Sequence, residues 1–452
     1  MVGLVRVVYY YVYYIKLSRD NTSRLRGYSV GVVDKELIII IILFKHKYII
    51  LLLTIIGINI MIVFYFFSGI LLLFIPYLTL VISLTVIHDK IIDVGTMISD
   101  NYSSSSYIYN YISYKSTLLY TKIGVNTLRN ILDQPFIPWI IHFFTFIPTL
   151  FFASFYIQTY CSLSFIQKLS YMLLYHILLM GPKFRNFALC AVIYHRACHT
   201  INGIFKNKYL NTIFDWTVCN FYGFCPEQYA MCHVKDHHKY TGKDIVRVIQ
   251  FDRTSICDFL LYLSIFGFGW TGIPHIINFV YKKQYIFAIR TFSGSSFYFG
   301  IFYGLYQLNP FFALTHYLLI FIFNILFYAA INWTWHGFCD KDQIDNEYIN
   351  STTFVNGTDN VFNEDYHVAH HLQHTMHWID LKKHYENNIE IFKQNQATIF
   401  TDIQQIELFF YMIFKKYDLM ANKFVDLSGK LSHQEKINLL KKRMEKITTY
   451  EN

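Results

Sequence analysis

The sequence predicts an all-α integral membrane protein with about four to six transmembrane helices and a cytosolic helical cap. Three observations predict it. Of 452 residues, 54% are hydrophobic and only 15% charged, against about 25% charged in an ordinary soluble domain. The apolar residues are bunched into runs of about 20, the number a helix needs to cross a bilayer. Polar clusters rich in histidine recur just beyond apolar segments, which gathers the chemistry at one membrane surface.

Residues 1–47 read as a basic N-terminal segment in the cytosol. Its apolar tract Val7–Ile15 is followed by Lys16, Arg19, Arg24 and Arg26; the tract is aromatic and has no cleavage site, so it is expected to stay and to lie on the membrane. Residues 48–87 read as a transmembrane hairpin, Tyr48–Phe67 and Ile70–Ile87, turned at Ser68-Gly69. The polar stretch 88–135 is expected to be loop. Trp139–Tyr160 and Ser164–Met180 are the next spans, the second stopped by Gly181-Pro182 with Lys183 and Arg185 at headgroup level. Phe187–Tyr194 then carries the first histidine pair out of the bilayer.

Ile256–Tyr281 is apolar but broken by Gly267, Gly269, Gly272 and Pro274, and reads as interfacial or re-entrant. Thr291–Leu308 and Phe311–Ala330 cross out and back. This count leaves all three histidine clusters and both termini on the cytosolic side; a full crossing at 256–281 would split the clusters across the membrane. Residues 130–380 make up the catalytic domain and 381–452 a soluble helical tail with amphipathic patches such as Ile406–Tyr417.

The net charge of +9 comes from basic residues in loops rather than along one face, which favours positive-inside topology over nucleic-acid binding. An abundance of Tyr, Ile, Phe, Asn and Lys fits a nucleotide bias of the coding sequence, so Tyr-rich patches carry no argument. The eight cysteines form no CxxC pair. Cys198, Cys219, Cys225, Cys232 and Cys339 lie near the histidines, but the surplus of imidazole makes thiolate ligation the lesser reading.

The histidines carry the chemistry. His195 and His199, His233 with His237 and His238, and His367 with His370 and His371 repeat an i, i+4 spacing that puts imidazoles on one helix face. The last three, at i, i+3 and i+4, are expected to point toward one place. With His336, nine imidazoles suffice for two metal ions with open positions, so the cap is expected to carry a His-rich di-metal site. Imidazole suits iron, copper or zinc, and ligand type alone does not choose among them. Asp244, Asp252, Glu364 and Asp365 read either as acceptors for the outer N–H of ligand imidazoles or as solvated loop acids. Trp333 and Trp335 read as interfacial anchors or tunnel walls. His46, His88, His142, His176, His275, His316, His384 and His433 read as structural or exposed. Asn101-Tyr102-Ser103 and Asn350-Ser351-Thr352 fit the glycosylation pattern but fall on the cytosolic side.

HxxxH, HxxxHH and HxxHH, in this order between paired spans, resemble the three histidine boxes of the membrane fatty-acid desaturase superfamily, which includes lipid and alkane hydroxylases. Tyr240-Thr241 through Asp244 and His377-Trp378 are also similar to that superfamily. The resemblance covers about residues 130–380. It implies two irons held by His195, His199, His233, His237, His238, His336, His367, His370 and His371, with O2 as co-substrate. Asn332 and His336 match an Asn-x-x-x-His motif in which the His is a ninth ligand and the Asn holds a water. The substrate would be a fatty acyl lipid or acyl-CoA threading between helices, in the endoplasmic-reticulum membrane. The tail has no haem-ligand motif, so electrons would come from a separate cytochrome b5 or ferredoxin-type donor. The spacing within the first two boxes, and a third box that keeps His where front-end desaturases have Gln, point toward acyl-lipid desaturases or hydroxylases. His374 sits where relatives often have Pro. A hydroxylase is the alternative on the same scaffold, and a zinc-binding membrane receptor or metal transporter the alternative from another class.

Overall fold

The computed structural model describes residues 107–237, 248–357 and 360–447, with side chains from residue 115 onward and without those of Asp236 and His237. The predicted hairpin at 48–87, the glycosylation pattern at Asn101, His238 and Asp244 lie outside the described residues, and His237 is described in its backbone alone.

The expected loop at 88–135 contains a helix, α1 (Tyr107–Thr127). Its Tyr-rich composition hides a helix-compatible stretch without proline, and Gln134 Nε2 donates to Thr121 Oγ1 at 2.8 Å to pin a following 3-10 turn, Ile131–Phe136, against it. Next come α2 (Ile137–Tyr160) and α3 (Phe165–Met180). A capping box starts α3: Gln167 N donates to Ser164 Oγ, and Ser164 N donates to the Gln167 side chain. Gly181 takes φ +69°, where a Cβ would sit 2.5 Å from the Asn186 side chain, and beyond it the chain bends by 44° into the segment that contains α4 (Arg185–His199).

Short elements follow: α5 (Lys208–Ile213), a π-turn at Phe214–Val218 and a π-helix at Ala230–His237. Then α6 (Ile256–Trp270) and α7 (Ile273–Tyr281) meet at 66° across Gly272, φ +82°. A bend of this size fits a broken span as well as the expected re-entrant segment. Helix α8 (Tyr285–Leu308) is followed by a short turn with a π-segment (Pro310–Leu318) and α9 (Leu319–Trp335). The cap comprises α10 (Glu347–Asn350), β1 (Thr353–Val355), α11 (His367–Leu372), α12 (Trp378–Asn387), α13 (Ile389–Gln394), β2 (Ile399–Thr401), α14 (Gln405–Ile413), α15 (Tyr417–Lys423) and α16 (His433–Arg443). Its sheet is one parallel pair, Thr353 opposite Ile399 and Val355 opposite Thr401.

Among the described residues, two helices are long and apolar enough to cross a membrane, Ile131–Tyr160 and Pro310–Trp335, or up to four if each bent pair is one span. The predicted crossing Thr291–Leu308 forms a helix but is not one of these; Thr291, Ser293, Ser295, Ser296 and Gln307 dilute its apolar character. Trp333 is not an interfacial anchor: it is fully buried and its indole N–H donates to Arg253 O at 3.2 Å.

Candidate metal centre

Seven of the histidines converge into two adjacent clusters. His195, His199, His233 and His370 form one, and His336, His367 and His371 the other; within each, one ring nitrogen from every member lies within 4.8 Å of all the rest. The expectation that His367, His370 and His371 point to one place is corrected. Neighbouring helical positions differ by about 100° around the axis, so His370 and His371 diverge, and their rings stand at 88° to each other. His370 turns to the four-histidine cluster, while His367 and His371, one turn apart, turn to the other. Helix α11 is the shared wall.

The four-histidine cluster is built from three segments. Helix α4 supplies His195 and His199 one turn apart, the π-helix supplies His233, and α11 supplies His370. His195 faces His199, His233 and His370 at centroid distances of 4.7, 4.6 and 4.7 Å, with rings 72° to 82° apart. His195 Nε2 is 2.8 Å from His233 Nε2. On its other side His195 Nδ1 lies 3.1 Å from Glu364 Oε2. Donation to that carboxylate fixes the tautomer and leaves the Nε2 lone pair facing inward. Tyr229 stacks on His233 at 5.0 Å, and the His374 ring is 5.8 Å from His199, which places His374 beside this cluster.

In the three-histidine cluster, His336 sits at the C-terminal cap of α9 with φ −115°, off the helix proper. Its Nδ1 lies 3.2 Å from Asn350 O, and its Nε2 is 3.2 Å from His367 Nε2. Trp335 stacks on His367 at 4.0 Å, so this indole is a wall of the cluster. His371 Nδ1 is 3.6 Å from Glu347 Oε2, which in turn accepts from Ser351 Oγ at 3.0 Å. Asn332, the candidate water holder, donates through Nδ2 to the Tyr262 hydroxyl at 2.6 Å.

These donor sets fit a metal. An ion about 2.1 Å from each imidazole nitrogen sets neighbouring donors about 3 Å apart, and the Nε2–Nε2 separations of 2.8 and 3.2 Å match that edge. Glu364 and Asn350 O hold the outer nitrogens of His195 and His336, so that the Nε2 lone pair of each of these two rings turns inward, where a cation would accept it. Free cysteines are not in either cluster.

The acids divide. Glu364 reaches a ligand imidazole. Asp252 does not; its Oδ1 accepts from Thr254 N at 2.9 Å and Thr254 Oγ1 at 2.8 Å, closing a local turn. Asp365 accepts from Gln405 Nε2. Three further groups gave no sequence signal. Glu347 and Asn350 back ligands of the three-histidine cluster, Asn350 hidden inside a glycosylation pattern whose Ser351 and Thr352 are buried. Buried Asp133 accepts from His377 Nε2 at 2.9 Å and Trp378 Nε1 at 3.0 Å, and Arg196 Nη1 donates to Met376 O at 3.2 Å; together they tie the chain just past the third box to the entry of α2 and to α4. Behind His195, the Tyr194 hydroxyl donates to half-buried Asp215, which also accepts from Glu227 N. Burial pushes the Asp215 carboxyl up to about 7, against the hydrogen bond from Tyr194.

Residues 169–402, a little over half of the chain, match the family model described as Fatty acid desaturase. The match contains all nine candidate histidines and stops short of α14, α15 and α16. No curated protein and no solved structure matches.

Proposed function

The chain belongs to the fatty acid desaturase family, and from that premise we propose that it is an O2-dependent oxidoreductase that introduces a double bond into a fatty acyl chain. One observation carries the reading: imidazoles from three distant boxes meet in two clusters that share α11, at separations suited to two metal ions. We assign iron to both. His195, His199, His233 and His370 would hold one ion and His336, His367 and His371 the other, with His237 and His238 assigned as further ligands from their sequence positions alone. When bound, the irons supply the activation of O2 and the removal of hydrogen from the acyl chain. The protein's share is to keep His195 and His336 in the tautomer that offers Nε2, through Glu364 and the Asn350 carbonyl, and to hold a water through Asn332. Two electrons per turnover would come from a cytochrome b5 or ferredoxin-type protein, and the substrate would be an acyl lipid or acyl-CoA. The apolar helices support a membrane location, which we assign to the endoplasmic reticulum with the clusters on the cytosolic face.

The test is expression in a host lacking its own desaturase, with lipid profiling and metal analysis of the purified chain. A new double bond with about two irons per chain is the expected result. A new alcohol assigns hydroxylation on the same scaffold; zinc without O2 consumption overturns the oxidase reading.

A further inference from the structure

Helix α16 ends 190 residues from Arg253 in sequence, yet the two are joined by a buried guanidinium whose hydrogen bonds go to main-chain carbonyls. Arg253 is fully buried. All five of its N–H donors go to main-chain carbonyls: Nε to Gly337 O at 3.0 Å, Nη1 to Ile249 O at 2.7 Å and Phe251 O at 2.9 Å, and Nη2 to Arg443 O at 2.9 Å and Glu445 O at 2.6 Å. The Arg253 carbonyl accepts from the Trp333 indole. One residue thus grips α9 both three positions before His336 and one position after it. The same joint is sewn by Cys339 N to Arg443 O at 2.8 Å and Ile447 N to Ile249 O at 3.0 Å. The end of α16 is anchored separately, as the Arg443 guanidinium donates to Thr398 Oγ1 at 3.1 Å and to Gln396 O. Gly337 leaves no room to give: a Cβ there would lie 2.5 Å from Trp333 O and 2.5 Å from Met412 of α14.

We propose that Arg253 is a positioning residue for the His336 ligand, and that through it the C-terminal segment, which lies beyond the family match, governs metal occupancy of the three-histidine cluster but not of the four-histidine cluster. The asymmetry follows from the bonding. His336 stands at a helix cap, and Arg253 holds Trp333 in the helical turn before it and Gly337 directly after it. His195 and His199 lie inside a continuous helical turn and need no such brace. The many carbonyl acceptors make the arrangement intolerant of loss, since removing the guanidinium takes a donor from five of them at once, and only Ile249 O and Arg443 O keep the main-chain donors named above.

This rests on the two-metal reading above. The experiment compares full-length wild type with Arg253→Met, Arg253→Lys and Arg443→Met, each loaded with ferrous iron and measured by metal stoichiometry and Mössbauer spectroscopy, with His336→Ala and His370→Ala as spectral references for loss at either cluster. The expected result is iron falling from about two per chain toward one in Arg253→Met, with the surviving signal that of His336→Ala, and a smaller loss of the same kind in Arg443→Met. Should Arg253→Met fail to insert or fold, Arg253→Lys and Arg443→Met decide. Full occupancy of both clusters in the variants, or parallel loss from both, overturns the proposal while leaving the two-metal reading intact. Wild type without iron removes that reading itself.

Discussion

The two histidine clusters share a wall and differ in how they are held. The four-histidine cluster draws on α4, the π-helix and α11, so its donors are spread from residue 195 to residue 370, yet two of them sit one turn apart on a single helix. The three-histidine cluster takes its described donors from a short stretch, residues 336 to 371, but one of them stands off the end of its helix and is aimed by groups far away in the chain. Sequence proximity of ligands and structural self-sufficiency are therefore separate properties. A ligand inside a helix inherits its direction from the backbone hydrogen bonds of that turn, whereas a ligand at a cap needs partners to set its direction.

The sharpest break of this comparison is removal of one donor from each cluster. His370→Ala and His336→Ala are each expected to lower desaturation by more than about 100-fold, beyond the loss typical of outer-shell groups, while the chain still inserts in membranes; each variant should keep the metal of the opposite cluster. Activity near wild type in either variant, measured by lipid profiling, would remove that histidine from the ligand set.

A smaller effect distinguishes the outer acceptors. Glu364→Gln is expected to weaken metal affinity of the four-histidine cluster by about 10-fold to 100-fold, read by competition with a chelator. Glu347→Gln should act on the other cluster and less strongly, because its oxygen is 3.6 Å from His371 Nδ1 where Glu364 is 3.1 Å from His195 Nδ1. Equal effects of the two substitutions, or effects on the wrong cluster, would contradict the assignment of each acid to its own imidazole.

The smallest expected effect sharpens the four-histidine side alone. Burial raises the Asp215 carboxyl to about 7, with the Tyr194 hydroxyl, the Glu227 N–H and Arg290 opposing the rise and the Glu227 carboxylate adding to it. The native state therefore binds a proton that the unfolded chain releases nearer its ordinary 3.8, so the contribution to stability is greatest below that value and is lost as pH climbs to about 7. Thermal unfolding of detergent-solubilised chain should show a melting temperature that declines across this window, and Asp215→Asn should flatten the decline. An unchanged slope in Asp215→Asn would place the pH dependence elsewhere.

Much of this protein was legible in residue types and spacings. Apolar runs predict helices at Trp139–Tyr160 and Phe311–Ala330 because a main chain in hydrocarbon must satisfy its own hydrogen bonds; the structure has Ile137–Tyr160 and, after a π-segment, Leu319–Trp335, and the glycines and proline at 267–274 predict the bend between α6 and α7. The i, i+4 pairs at 195/199 and 367/371 predict which imidazoles act together, since one turn of helix brings them to one side. Helix α1 escaped because its Tyr-rich composition shows no apolar periodicity.

What the sequence by itself determined was the helical class, the family resemblance and a set of candidate donors, seven of which the structure gathers into the two clusters. Only the tertiary structure decided which cluster His370 and His371 each join, that Glu364 and not Asp252 backs an imidazole, and that Arg253 links the tail to the His336 joint. Those choices depend on which distant atoms meet, and no local period encodes a meeting between residues that lie 84 to 190 positions apart.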